Sequence, residues 1–347
     1  MLTRRHFLAA AAAPLFAQSR PDWRTYELAT RVEVLKPSGT TRIWVPLAAD
    51  TEYQRARANH FQADGGSATV VEKPEDSLSF VSAEFPEGAH PVLTVITRVS
   101  TRDAAVDLSR ATRPDRPPKL PHFLRPTRLI PTDGIVRETA AEIIRGASTP
   151  LARARAIYQW IVENTARNPK TRGCGLGDIR FMLESRDLTG KCADLNSLYV
   201  GLARSAGLPA RDVYGIRTAP SQLGYKSLGA SSATVTKSQH CRAEVWLDDF
   251  GWVPVDPADV RKVALEEPPG NRPLDDDMVR RARARLFGSW EGNWMAYNVA
   301  HDVALPGSAR APIPFLMYPQ AETAAGPVDS LDPDAFRYEI VAREVAP

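Results

Sequence analysis

Six prolines stand between positions 114 and 131: Pro114, Pro117, Pro118, Pro121, Pro126 and Pro131. Proline fixes φ and has no N–H to donate, so such a stretch builds neither a helix interior nor a central strand. Residues 113–131 are therefore assigned as a linker, and the segments on either side are left to form cores of their own. Before the linker, residues 22–112 read as strands. Residues 26–35, 42–46, 79–85 and 92–100 are rich in β-branched and aromatic side chains, alternate in places and are separated by turn residues. A small all-β sandwich is the expected result.

After the linker the pattern changes period. Residues 133–145 place Val136, Ala140, Ile143 and Ile144 on one helical face. A second helix opens at Thr149-Pro150, an N-cap followed by proline at the first helical position. A third is predicted over 191–206, with Leu195, Leu198, Tyr199 and Leu202 at helical spacing and Gly207 and Pro209 as the stop. Strands follow over 213–217, 240–247 and 252–256. Helices first and an antiparallel meander afterwards give an α+β core over residues 132–265. Residues 266–347 are read as an extension packed on that core.

The chemistry concentrates at three positions in this core. Cys192 opens the third helix, where free backbone N–H groups and the positive end of the helix dipole favour a thiolate. Those amides also suit an oxyanion formed on an acyl carbon, and Gly190 leaves the backbone open to close approach. His240 begins a strand and is the candidate base. Asp256, on the following strand, falls near it after the turn at 248–251, where a carboxylate fixes the tautomer of the imidazole. Asp259 is the substitute for Asp256, since an Asp before Pro also serves as a turn residue. Asp194 and Asn196 fit either substrate binding or capping. Trp246 and Trp252 fit either a cleft wall or the core.

The run from Gly190 to Arg211, beginning Gly190-Lys191-Cys192-Ala193-Asp194-Leu195-Asn196, resembles the cysteine motif of the transglutaminase-like superfamily. His240-Cys241-Arg242-Ala243-Glu244-Val245-Trp246 is similar to its histidine motif, and Gly251-Trp252-Val253-Pro254-Val255-Asp256-Pro257 to its aspartate motif. The three occur in the family's order, 48 and 16 residues apart. The resemblance implies a papain-like α+β fold and catalytic roles for Cys192, His240 and Asp256, with acyl transfer from an amide to the thiol. Peptide or protein substrates follow, with hydrolysis of a peptide or isopeptide bond preferred. Cross-linking through an amine acceptor, or a binding domain that keeps the fold without the activity, are the alternatives. Cys241 departs from the aromatic or small residue that often follows the histidine.

No cofactor is expected, and no acidic loop suggests calcium. A zinc site from Cys174, Cys192, His240 and Cys241 is disfavoured, because His240 and Cys241 are adjacent in a strand and face opposite ways. Cys174 and Cys241 form a structural disulfide or remain as two buried thiols; both readings stay open. The N-terminus carries Arg4-Arg5 before an apolar run over residues 7–17, which resembles a twin-arginine export signal over 1–17. That run is too short to span a bilayer. The expected product is exported, periplasmic or extracellular, without stable membrane insertion. The net charge of +3 includes both leader arginines, and no basic stripe points to nucleic acid.

Overall fold

The computed structural model describes residues 23–346 apart from Pro118. The export signal read over 1–17 lies outside the described residues. The N-terminal segment supplies β1 (Arg24–Val34), β2 (Thr41–Pro46), β3 (Gln54–Asp64), β4 (Ser67–Lys73), β5 (Leu78–Phe85) and β6 (Val92–Thr101). Helices α1 (Gly134–Ile143), α2 (Pro150–Asn164), α3 (Ile179–Ser185) and α4 (Cys192–Ser205) come next. Strands β7 (Ala210–Arg217), β8 (Gln239–Leu247) and β9 (Gly251–Val255) lead to α5 (Pro257–Glu266) and α6 (Asp277–Arg285). The chain closes with β10 (Trp294–Asn298), β11 (Gln320–Thr323), β12 (Gly326–Val328) and β13 (Phe336–Val345).

Two sheets form a sandwich, in the orders β13-β1-β6-β3 and β12-β11-β2-β5-β4. Val32, Leu93, Val95 and Phe336 of the first meet Ile43, Val45, Val81 and Phe85 of the second in one apolar layer. The sandwich expected from residues 22–112 is therefore present, but residues 22–112 do not complete it. The extension over 266–347 was expected to pack on the core, and its last part is instead built into the sandwich. Strand β13 pairs with β1 from Thr25↔Val345 to Val34↔Phe336, and β11 pairs with β2. The physical reason is the free edge of β1, whose alternate residues Tyr26, Leu28 and Val32 are buried and whose backbone needs a partner there. Phe336→Ala is expected to cost about 3–5 kcal/mol in urea unfolding, the usual range for emptying a buried aromatic site. A loss below about 1 kcal/mol would contradict this closure.

The catalytic-type core is an antiparallel sheet in the order β9-β8-β7-β10. Helix α4 lies on it, burying Leu195, Leu198, Tyr199 and Leu202 in a cluster with Ala243, Val245 and Val255. The sequence cues for α2 hold: the Thr149 hydroxyl accepts from the Ala152 N–H at 3.1 Å, with Pro150 next. The proline-rich linker is not a free tether. A short turn at Leu120–Leu124 buries Leu120 and Phe123, and Phe123 stacks edge-on against Trp252 at 5.1 Å.

Candidate active site

Cys192 is the first residue of α4, preceded by Lys191 in an extended conformation. The Asp194 carboxylate closes this helix start. One oxygen accepts from the Lys191 N–H at 2.9 Å, the other from the Leu176 and Gly177 N–H groups at 3.0 Å each. Asp194 is thus a cap, which resolves one of the two readings left open for it. The same carboxylate explains Gly190. A Cβ there would lie 2.5 Å from Asp194 Oδ2, so the glycine serves the turn itself rather than an incoming substrate. The expected set of helix-start amides also narrows. Ala193 N–H is committed to the Cys174 carbonyl at 2.9 Å, which leaves the Cys192 N–H, without an intrahelical acceptor at this position, as the amide for an oxyanion.

The three residues singled out from sequence come together around this helix start. His240 Nε2 is 2.7 Å from Asp256 Oδ2. Val255 pairs with Ala243, so Asp256 emerges from β9 beside the first residues of β8. Asp256 is also the N-cap of α5, where its Oδ1 accepts from the Asp259 N–H at 3.0 Å. The turn role and the histidine role are therefore both filled, one by each oxygen. With Nε2 engaged, Nδ1 is the ring nitrogen free to take the proton of Cys192.

Four further residues hold this arrangement. Asn196 Nδ2 donates to Asp256 Oδ1 at 3.2 Å and to the Cys241 carbonyl at 2.9 Å, tying α4 to both strands. A second carboxylate oxygen, Asp259 Oδ1, lies 3.4 Å from His240 Nε2. Arg217 from β7 donates to both Asp259 oxygens, at 2.6 and 2.8 Å. The Trp294 indole N–H donates to the His240 carbonyl at 2.9 Å and fixes the backbone behind the imidazole. Asp259, expected as a substitute for Asp256, is present in addition to it. The signal for Asn196 was its place one helical turn after Cys192; nothing in the sequence marked Arg217.

The charges here are buried and balanced. Arg217 and Arg242 offset Asp256 and Asp259, so moving a proton from Cys192 to His240 leaves the cluster's net charge unchanged. Arg242 is pushed down to about 10 by burial and by Arg217, and so remains a cation at neutral pH. The Cys192 thiol is held well below its usual range by the side chains of Cys174 and Cys241 and by His240, against the effect of burial. Burial and Arg217 press His240 downward, but Asp259 and Asp256 outweigh them and its pKa is raised. Burial and neighbouring Asp259 raise Asp256. Asp259 itself, despite burial, is held low by Arg217. The donor atoms of His240, Asp256 and Asp259 lie within 4.8 Å of one another, a spacing that would suit a cation. Arg217 already supplies that charge at Asp259.

Cys174, Cys192 and Cys241 are all free thiols and all buried. The structure thus has the second of the two states left open for Cys174 and Cys241. Trp246 and Trp252 meet edge-to-face at 5.7 Å. They line a crevice of about 1280 Å³ with Tyr53, Arg211, Glu244 and Glu291, and Cys192 is not among its walls.

The model of the transglutaminase-like superfamily matches residues 137–257, which contain all three motifs. An uncharacterized protein of Haemophilus influenzae is 36% identical over 344 residues, spanning 93% of this chain and 92% of its own. The chain belongs to the transglutaminase-like superfamily. Among solved structures, a candidate cysteine protease from Cytophaga hutchinsonii is similar with a TM-score of 0.52 at 15% identity, over 93% of this chain and 98% of that one. That likeness is one of fold. The periplasmic domain of TgpA from Pseudomonas aeruginosa overlaps more loosely, with a TM-score of 0.35 at 18% identity over 72% of this chain and 96% of that one.

Proposed function

We propose that this superfamily member is a thiol hydrolase that cleaves a peptide or isopeptide amide through a thioester on Cys192. The observation that carries the reading is the buried His240–Asp256 contact of 2.7 Å beside a thiol at a helix start. The chemistry follows from these atoms. The Cys192 thiolate attacks the amide carbon while the imidazolium of His240 protonates the departing amine. The Cys192 N–H holds the oxyanion. Water, deprotonated by the now neutral His240, then opens the thioester and frees the carboxylate. Asp256 orients the ring and stabilises its charged form. Export to the periplasm or beyond is part of the same proposal. It rests on the paired arginines and apolar run of residues 1–17, and among the described residues no helix is long and apolar enough to cross a membrane.

The two shifts define a pH window. The thiolate–imidazolium pair forms above the depressed pKa of Cys192 and is lost as pH rises through the raised pKa of His240. Cleavage is expected to rise with pH well below the usual thiol value of 9.0 and to fall on an alkaline limb above the usual imidazole value of 6.5. The test is a proteome-derived peptide library read by mass spectrometry, with and without added primary amine. Cleavage without amine incorporation, absent in Cys192→Ala, is expected. Predominant amine incorporation would assign cross-linking instead, and no Cys192-dependent product of either kind would support a binding domain that keeps the fold.

A further inference from the structure

The protein has three buried thiols, and the proposed reaction uses one of them. The Cys174 carbonyl accepts from the Ala193 N–H at 2.9 Å, so the backbone of Cys174 runs directly against the residue after Cys192. Hydrogen-bonded backbones lie about 5 Å apart. Disulfides need Cα separations of roughly 4.4–6.8 Å. The Cys174 sulfur lies 3.3 Å from the Gln239 carbonyl, next to His240. Cys174 is thereby tied to both the nucleophile and its base. The side chains of Cys174 and Cys241 both act to lower the pKa of Cys192.

The two neighbours differ in freedom. Cys241 lies inside β8, opposite Tyr214 of β7, with its carbonyl engaged by Asn196. Cys174 stands outside any helix or strand, in a turn between Gly173 and Gly175 at φ +56 and +92. It is 7% exposed against 0% for Cys241. A small oxidant that reaches Cys192 therefore leaves Cys174 as the thiol able to close on it.

We propose that Cys174 is a resolving thiol, which captures peroxide-oxidised Cys192 as a reversible Cys174–Cys192 disulfide that silences and protects the nucleophile. This rests on the reading of Cys192 as the reactive thiolate. The electrons balance in two steps. The Cys192 thiolate attacks hydrogen peroxide, breaking the O–O bond to give a sulfenic acid and, after protonation, one water. The Cys174 sulfur then displaces the sulfenic oxygen as a second water and forms the S–S bond. Two thiols are oxidised by two electrons and one peroxide is reduced. A dithiol reverses the change by exchange.

The test treats the full-length protein with hydrogen peroxide and then maps thiols by mass spectrometry without reduction. In the wild type the expected product is a Cys174–Cys192 crosslinked peptide pair, with iodoacetamide labelling of Cys192 lost and then restored by dithiothreitol. In Cys174→Ser and Cys174→Ala, each checked for native folding by circular dichroism, Cys192 is expected to progress to the sulfinic or sulfonic acid, with labelling not restored. Overoxidation of Cys192 in the wild type at the variants' rate would overturn the proposal. So would a bridge from Cys192 to Cys241 alone, or one between Cys174 and Cys241. The disulfide map needs no amide substrate, so failure of the hydrolase reading is detected separately, by Cys192-independent or absent cleavage in the peptide library.

Discussion

His240→Ala is expected to reduce amide cleavage by about 10³- to 10⁴-fold, with KM for the same peptide changed far less. The size follows from the two proton transfers that the imidazole makes. Without it, the Cys192 thiol has no imidazole to hold its proton. The departing amine then leaves unprotonated, which is the harder step for an amide. The carboxylates cannot substitute, since the bond between Asp256 Oδ2 and His240 Nε2 at 2.7 Å places them behind the ring relative to its other nitrogen. Measured kcat for wild type and variant on one cleaved library peptide checks this. A drop below about tenfold would mean that another group serves as the base.

Arg217→Met is expected to lower stability by about 3–5 kcal/mol in urea unfolding. Arg217 is 3% exposed and Asp259 is 1% exposed, so deleting the guanidinium strands a carboxylate that water cannot reach. A pH dependence absent from the wild type near neutrality should appear in the variant. In the wild type, Asp259 has a depressed pKa, so its contribution is present above its unfolded value and lost as pH falls through the folded one. It therefore stays constant across the neutral and mildly acidic range. In the variant, burial and nearby Asp256 raise Asp259 instead, and protonating it relieves the cost. Melting temperatures of Arg217→Met should then rise relative to wild type between pH 7 and pH 5. The double variant Arg217→Met/Asp259→Leu should recover much of the loss, because a missing pair costs less than a broken one.

The grouping of Cys192, His240 and Asp256 was legible because each sits in a local pattern with its own physical cause. A glycine turn precedes Cys192 at a helix start, His240 opens an alternating strand, and Asp256 precedes a proline. Arg217 was not legible, because it lies 42 residues from Asp259 and a lone arginine on a strand reads the same whether it meets solvent or a buried carboxylate. Strands β3 and β4 were missed for a related reason. Most of their residues are exposed or half-buried, so their sequences carry no alternation, and β3 is held by its backbone ladder to β6. The sandwich was legible from β1, β2, β5 and β6. Its closure by β11 and β13 was not, since the alternation in residues 336–341 does not reveal which edge that segment joins.

The most direct test of the central claim is the pH dependence of Cys192 alkylation by iodoacetamide, followed by peptide mass spectrometry in wild type and His240→Ala. Cys192 is expected to react in the wild type with a midpoint well below the usual thiol value of 9.0. In His240→Ala that midpoint should move upward and the rate at neutral pH should fall. A Cys192 that reacts no faster than a free thiol at neutral pH, at a rate unchanged by His240→Ala, would contradict it.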